Sequence, residues 1–263
     1  MRKLKIILLW LGIITYLIFV LGFVSGKINE QVCAKISVKI IDSLTNRFVG
    51  PEDVLDIILT NESRLLGYPL SEINTHNLER LIANEPFIKS ASLYKTVNGI
   101  LNVDIKQRRP ILRVINKQGK SYYIDEEGFI LPVSENFTSR VLVANGYISE
   151  PFVEESTRSI FDAEVPANRR NSVISELYEL ASFISGSDLW SAQIAQIYVN
   201  DQYEYEMIPR VGAHVIYLGD ATNYETKFRK LEALYMYGLN NTGWNNYEII
   251  NLKYENQIVC TKR

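Results

Sequence analysis

Few residues in this chain have the types and spacing that catalysis needs, and the clearest pair is a serine and a lysine. Ser92 and Lys95 match the Ser-x-x-Lys pattern in which a lysine activates a serine for acyl transfer. That chemistry needs both side chains on one face at the start of a helix. Here they fall in a predicted strand, where an offset of three residues places them on opposite faces. The pattern therefore does not predict a nucleophilic site.

Carboxylates and histidines give no stronger signal. Glu204 and Glu206 lie two residues apart in a predicted strand, about 7 Å, a separation that suits an inverting glycosidase. Their alternation with apolar residues favours the solvated face of a half-buried strand instead. His76 and His214 are far apart in sequence and have no Cys or Asp at ligand spacing, and the acidic run 125–127 is typical of a turn. The sequence predicts no metal, no cofactor and no enzymatic activity.

The N-terminal region carries an uncharged run of 19 residues from Ile6 to Val24. As a helix this run is about 28 Å long, close to the thickness of the hydrocarbon core of a bilayer. Arg2, Lys3 and Lys5 precede it, so the N-terminus is expected in the cytoplasm and the rest of the chain outside. A cleaved secretory signal is the alternative, but its apolar core is usually only 7 to 15 residues long.

Composition limits the partners of the exported part. The chain has 263 residues, 47% of them hydrophobic, which excludes disordered and collagen-like classes. Of its 28 basic residues three precede the apolar run, so 25 basic residues face 30 acidic ones beyond it, a charge of about −5. This balance argues against nucleic-acid binding. Two cysteines, Cys33 and Cys260, are too few for a disulfide framework.

The first exported segment predicts a compact α+β module. An alternating stretch over 34–40 indicates a strand, Gly50-Pro51-Glu52-Asp53 is typical of a helix start, and leucines and isoleucines after Asn74 keep helical spacing. Asn98-Gly99 between two alternating runs is a strong hairpin signal. The expected order is strand, helix, helix, strand, strand.

The second exported segment predicts a mixed, strand-rich β-domain with two helices. Turn residues at 125–128 indicate a hairpin, and 149–171 reads as a long surface loop. A helix is expected over 172–184, then three strands as a meander, then a helix over 224–237 that ends at Gly238. Two short strands complete the chain. The expected organisation is a cytoplasmic tail over 1–5, a transmembrane helix over 6–24, a linker over 25–32, the first module over 33–109 and the β-domain over 110–263.

The last strand, Ile258 to Thr261, is a candidate binding edge because only Lys262 and Arg263 follow it. Unpaired backbone groups at a sheet edge can pair with a strand of another protein. The alternative is that the strand is short and ends in two charged residues so that such pairing is avoided. Composition alone leaves both open.

Several stretches together resemble the FtsQ/DivIB family of bacterial cell-division proteins. The likeness covers essentially the whole chain, in the order basic tail, single anchor, POTRA module (βααββ) and β-domain. The matching stretches are Gly50-Pro51-Glu52-Asp53-Val54, Pro86-Phe87-Ile88-Lys89-Ser90-Ala91, Arg108-Arg109-Pro110-Ile111, Tyr123-Ile124-Asp125-Glu126-Glu127-Gly128 and Asn251-Leu252-Lys253-Tyr254. Asn251 and Lys253 depart from the family's acid and arginine.

The resemblance implies a non-enzymatic scaffold that binds FtsB/DivIC and FtsL and helps to control septum formation and septal peptidoglycan synthesis. It also implies that the POTRA module meets other components of the division complex near the membrane, through residues that the resemblance does not identify. It implies a single-pass protein of the cell inner membrane at the division septum, with no nucleic acid or small-molecule substrate. A partner strand would add to the last strand, with the residues before the turn contributing. Carried over by position, the partner-binding residues are Lys253, Tyr254, Ile258, Val259, Cys260 and Thr261.

Two other functional classes are weighed against this one. A membrane-anchored enzyme acting on peptidoglycan would need the catalytic constellation that the residues above do not make. A POTRA-bearing translocation or assembly factor would need a run of barrel strands after the module, and predicted helices interrupt the roughly 150 residues that follow it.

Overall fold

The computed structural model describes residues 9–20, 31–41, 47–62, 64–149, 159–161 and 173–263. The chain divides into two compact units, Met1–Gln107 and Arg108–Arg263. The sequence prediction sets the division two residues later, at residue 110. The predicted tail over 1–5, most of the linker over 25–32 and most of the loop over 149–171 lie outside the described residues.

Residues 9–20 form a helix, α1, whose side chains are largely exposed. The predicted transmembrane run over 6–24 extends past both ends of this described helix. Within the parts of the chain that the structure describes, no helix has the length and apolar character that crossing a membrane requires. The membrane span therefore stays a prediction.

The first unit has the predicted order of elements: β1 (Lys35–Ile40), α2 (Pro51–Asn61), α3 (Thr75–Ala83), β2 (Ile88–Lys95) and β3 (Ile100–Gln107). Its sheet has the order β1-β3-β2, with β1 parallel and β2 antiparallel to β3. Isoleucines and leucines of α2 and α3 are buried together with alternate residues of β3, so one face of the sheet is covered. The α+β class of this unit is confirmed.

Local chemistry explains the boundaries of these elements. The Asp53 carboxylate accepts the Gly50 N–H at 2.7 Å, and the Asn74 side chain accepts the Asn77 N–H at 3.1 Å, so both helix starts have a polar cap. Gly99 closes the hairpin with φ +80°, and a Cβ there would lie 2.9 Å from the Val32 carbonyl oxygen. Only glycine satisfies both conditions.

The second unit is built on a long mixed sheet. Its elements are β4 (Pro110–Ile115), β5 (Ser121–Asp125), β6 (Ile130–Leu131), β7 (Leu142–Gly146), α4 (Val173–Ser185), α5 (Asp188–Gln193), β8 (Ile194–Val199), β9 (Tyr205–Pro209), β10 (Val215–Gly219), α6 (Tyr224–Ala233), a π-helical stretch (Leu234–Leu239), α7 (Asn240–Thr242), β11 (Tyr247–Asn251) and β12 (Val259–Lys262). Nine described strands follow the order β12-β11-β10-β9-β8-β7-β4-β5-β6. The strand β12 therefore lies at one edge.

Helices cover one face of this sheet and form the core. Leu177 and Trp190 from α4 and α5, and Phe228 and Leu231 from α6, belong to one buried cluster with inward residues of the strands such as Ile250. The aromatic rings of Trp190 and Phe228 lie 4.9 Å apart at a steep angle. The other face of the sheet carries the alternate residues of each strand.

Three details of this unit differ from the sequence prediction or add to it. The helix that begins at Tyr224 does not end at Gly238, because a π-helical stretch carries the chain on to Thr242 and the stop is Gly243, with φ +96°. The short helix α5 was not predicted, although Ser187 caps it by accepting the Trp190 N–H at 3.3 Å. In the predicted long loop, Ser159 pairs with Phe129 beside the β5–β6 turn.

A buried ion pair fixes the start of the second unit. Arg108 Nη1 lies 2.9 Å from Asp125 Oδ2, and the two side chains are only 11% and 1% exposed. The other Asp125 oxygen accepts the backbone N–H groups of Glu127 and Phe129 at 2.9 and 2.8 Å. The Arg108 guanidinium lies 3.9 Å from the centre of the Phe129 ring. Asp125 is thus the turn former that the sequence predicts, and it is also a buried charge with a partner.

Replacing Asp125 by alanine should lower the free energy of unfolding by about 3–5 kcal/mol, because it leaves the Arg108 charge buried without its carboxylate. Chemical denaturation of this variant and of the wild type measures the loss in the free energy of unfolding. Glu127→Ala is the matched control: its carboxylate lies 3.6 Å from Arg108 but is 44% exposed, so its loss should cost less than about 1 kcal/mol. Equal losses in the two variants would contradict the buried-pair interpretation.

Candidate functional site

The residues considered for catalysis do not assemble into a site. Ser92 and Lys95 both lie in β2, three residues apart, as expected. Glu206 lies within β9, whereas Glu204 precedes that strand. Throughout the described ranges, no three His, Cys, Asp or Glu side chains come close enough to hold a metal ion.

Glu204 differs from the solvated strand residue that its sequence context favours. Its carboxylate accepts a hydrogen bond from the Tyr217 hydroxyl and lies 2.5 Å from Lys253 Nζ. The hydrogen bond from Lys253, followed by that from Tyr217, lowers the pKa of Glu204 below its ordinary value. Glu204 therefore connects the start of β9 to β10 and to the segment after β11.

The two histidines have different surroundings. His76, in α3, is 76% exposed and lies 3.9 Å from Glu79. His214 is buried just before β10, with its Nε2 atom 3.2 Å from the Tyr235 hydroxyl and its ring against Trp244. Burial lowers the pKa of His214. His214 is thus a core residue of the second unit.

The candidate binding residues lie in the C-terminal hairpin, which consists of β11, the turn 252–258 and β12. Among the described strands β12 pairs with β11 alone, so one side of β12 has no strand beside it. The Arg263 N–H donates to the Asn246 carbonyl at 3.2 Å, toward β11. Because N–H directions alternate along a strand, the Thr261 and Val259 N–H groups also face β11, and those of Cys260 and Lys262 face away from the sheet.

Side chains of the C-terminal hairpin divide between the two faces. Cys260 lies opposite Ile250 and is partly buried against the core, and this burial raises the pKa of its thiol. Val259 is 41% exposed and shares the other face with Thr261. The strand begins one residue later than predicted, because Ile258 precedes it and packs partly against the core.

The two candidate binding residues of the turn, Lys253 and Tyr254, differ in their contacts within the chain. Tyr254 is 50% exposed. Lys253 keeps its aliphatic carbons against Gly219, where an added Cβ would lie 2.6 Å from Lys253 Cγ, and its ammonium sits 5.5 Å from the centre of the Tyr217 ring. The hydrogen bond to Glu204 raises the pKa of Lys253. Lys253 thus has an acidic partner within its own chain.

Lys230 supports the turn and was missed by sequence reasoning. Its ammonium donates to three backbone carbonyls, those of Leu252 at 3.4 Å, Tyr254 at 2.5 Å and Glu255 at 3.3 Å. Burial lowers the pKa of Lys230. No local pattern reveals this role, because the carbonyls lie more than 20 residues away in the chain. Lys230 therefore connects α6 to the backbone that presents Tyr254.

Comparison with known proteins agrees with both units. The first has the βααββ order and mixed three-stranded sheet of a POTRA-like module, and the family model of the POTRA-like domain matches residues 31–106. The second is a strand-rich domain, and the family model described as FtsQ/DivIB, C-terminal related, matches residues 109–261. No curated protein matches the chain. The chain belongs to the FtsQ/DivIB family, as the resemblance in its sequence indicates.

Acidification should destabilise the protein through His214. The unfolded state gains a proton near pH 6.5 and the folded state only at lower pH, so stability is fully present above pH 6.5 and falls as the pH drops below it. Denaturant unfolding at pH 7.5 and pH 5 measures the loss, which His214→Phe should reduce. His76→Phe, at an exposed position, should keep the wild-type pH dependence; a matching reduction in both variants would contradict this prediction.

Removing the ammonium of Lys230 should loosen the turn of the C-terminal hairpin. In Lys230→Met, amide hydrogen exchange over residues 252–257 should accelerate about tenfold or more, because the loss of a charged donor is worth about 1.5–3 kcal/mol locally. Arg229→Met is the control, since Arg229 is exposed on the same helix and bonds Thr226 instead. Unchanged exchange in the Lys230 variant would show that the three contacts do not hold the turn.

Proposed function

We propose that the chain is a non-enzymatic, single-pass scaffold of the bacterial division complex that binds FtsB/DivIC-like and FtsL-like proteins and helps to control septal peptidoglycan synthesis. Its family supports a scaffold role in division. The observation that carries the partner proposal is the outer side of β12, where no strand of the described part of the chain lies. In this proposal the partner adds a strand there, outside the membrane.

Backbone groups supply the attachment. Cys260 and Lys262 direct their N–H groups away from the sheet, and a partner strand aligned with β12 can accept both. Main-chain hydrogen bonds of this kind give affinity without demanding a particular partner sequence. Specificity then comes from side chains that flank the edge, of which Val259 and Tyr254 are apolar and exposed.

Tyr254 contributes more than Lys253 in this proposal. A tyrosine that becomes buried at the centre of an interface is a typical hot spot. Lys253 already donates to Glu204 at 2.5 Å, and an ammonium has three donors, so two remain for a partner carboxylate. Because Lys253 is 42% exposed, that pair would add less than about 1 kcal/mol.

The N-terminal sequence supports the membrane part of the proposal. The run Ile6 to Val24 has the length of one crossing, and the three basic residues before it favour a cytoplasmic N-terminus. The proposed location is the inner membrane at the division septum, with both units on the far side from the cytoplasm.

Blocking the edge should weaken partner binding. Cys260→Pro removes an outward N–H and leaves the inward N–H groups of Val259 and Thr261 for β11, so the affinity for an FtsB/DivIC-like protein should fall tenfold or more. Calorimetric titration with the full chain in detergent measures it. Cys260→Ala keeps the N–H, and should bind as the wild type does. Equal affinity of both variants would contradict strand addition at β12.

Tyr254→Ala tests the side-chain contribution to the same binding, measured by the same calorimetric titration. Truncation of a hot-spot tyrosine costs about 2 kcal/mol, which corresponds to an affinity loss of about thirtyfold. Tyr237→Ala is the matched control, because Tyr237 is 78% exposed on the π-helical stretch and lies outside the hairpin. Comparable losses in the two tyrosine variants would remove Tyr254 from the proposed interface.

A further inference from the structure

Three backbone segments lie side by side at one end of the first unit. Val32 pairs with Pro69 as an isolated bridge, and the Cys33 N–H donates to the Tyr68 carbonyl at 2.8 Å. On the other side, the Ala34 N–H donates to the Gly99 carbonyl at 2.8 Å. The segment 31–34 is thus held between 67–69 and the turn of the β2–β3 hairpin.

Four apolar side chains on these segments, or next to them in sequence, are exposed. Val97 is 77% exposed, Leu66 55%, Val32 44% and Tyr68 41%. These four residues are called the apolar tip. They come from three separate parts of the chain that the backbone bonds bring together. An exposed cluster of this kind on a small unit marks an interaction surface.

Chain connectivity points to the occupant of this surface. Gln31, the residue before Val32, follows the apolar helix α1 after only ten residues, 21–30, which span at most about 35 Å. The predicted crossing extends to Val24, which shortens the connection further. A unit tethered this closely to a crossing helix keeps the start of its first segment near the bilayer surface.

Residue types agree with a lipid interface. Tyrosine is enriched at the boundary between hydrocarbon and headgroups, where its ring and hydroxyl meet different surroundings. Exposed Lys35, Arg64 and Lys95 neighbour the tip in sequence and suit anionic headgroups, while Glu62 and Glu72 partly balance them. Apolar contact, with modest help from charge, would therefore hold the tip.

We propose that the apolar tip, formed by Val32, Leu66, Tyr68 and Val97, inserts into the interfacial region of the bilayer and orients the first unit against the membrane. This inference rests on the proposed membrane anchoring and adds a second contact to it. It gives the first unit one preferred side toward the lipid, since a single helix and a short connection alone would leave its rotation free.

The test uses the full chain in nanodiscs of phosphatidylethanolamine and phosphatidylglycerol, without partner proteins. Single cysteines carry a nitroxide in a background with Cys33→Ala and Cys260→Ala, and collision with oxygen and with a water-soluble nickel chelate reports depth. The label at Val97→Cys reports the depth of the apolar tip, and the label at Ile14→Cys reports the depth of helix α1. Asn84→Cys is the matched control, because Asn84 is exposed at the end of α3, just before β2, and the eight residues of β2 run about 27 Å from there toward the hairpin turn.

The label at position 97 should be several times less accessible to nickel than the label at 84, and closer to the label at 14. Adding Leu66→Glu and Tyr68→Glu should make position 97 as accessible to nickel as 84. Equal nickel access at 97 and 84, with 14 in lipid, would overturn the apolar tip alone. Full nickel access at 14 would overturn the proposed anchoring and the tip with it.

Discussion

The position of β11 between β10 and β12 determines which strand forms the C-terminal edge of the sheet in the second unit. β11 lies parallel to β10 on one side and antiparallel to β12 on the other. A parallel neighbour requires a crossover, and α6 with the π-helical stretch provides it while covering the inner face of the sheet. Among the described strands β12 pairs with β11 alone, so it is an edge strand.

Side-chain contacts hold this edge in one arrangement. Lys230 binds the carbonyls of the turn from one side, and Glu204 and Tyr217 hold Lys253 from the sheet. A hairpin at a sheet edge would otherwise lose conformational freedom when a partner binds, and that loss opposes affinity. Contacts already made in the free protein reduce the loss. In the proposed complex, the charged residues around the turn therefore act on partner binding mainly through the backbone that they position.

Local patterns in the sequence predicted those parts of the fold that depend on local chemistry. Asn98-Gly99 predicted a hairpin with positive φ at both residues, and the hairpin forms with positive φ at Gly99 but not at Asn98. Asp125 predicted a turn because its carboxylate accepts nearby N–H groups. Long-range relations were not predictable in the same way. The Lys230 contacts join residues more than 20 positions apart, and the π-helical stretch passes Gly238, a residue that usually ends a helix. The edge position of β12 depends on the order of nine strands, which no local pattern contains.

Amide hydrogen exchange along β12, compared between the free chain and its complex with an FtsB/DivIC-like protein, tests the central claim most directly. Strand addition predicts that the Cys260 and Lys262 amides, which face away from the sheet, become strongly protected in the complex. Val259 and Thr261, which already face β11, should change much less. Unchanged exchange at Cys260 and Lys262 in a saturated complex would contradict the account.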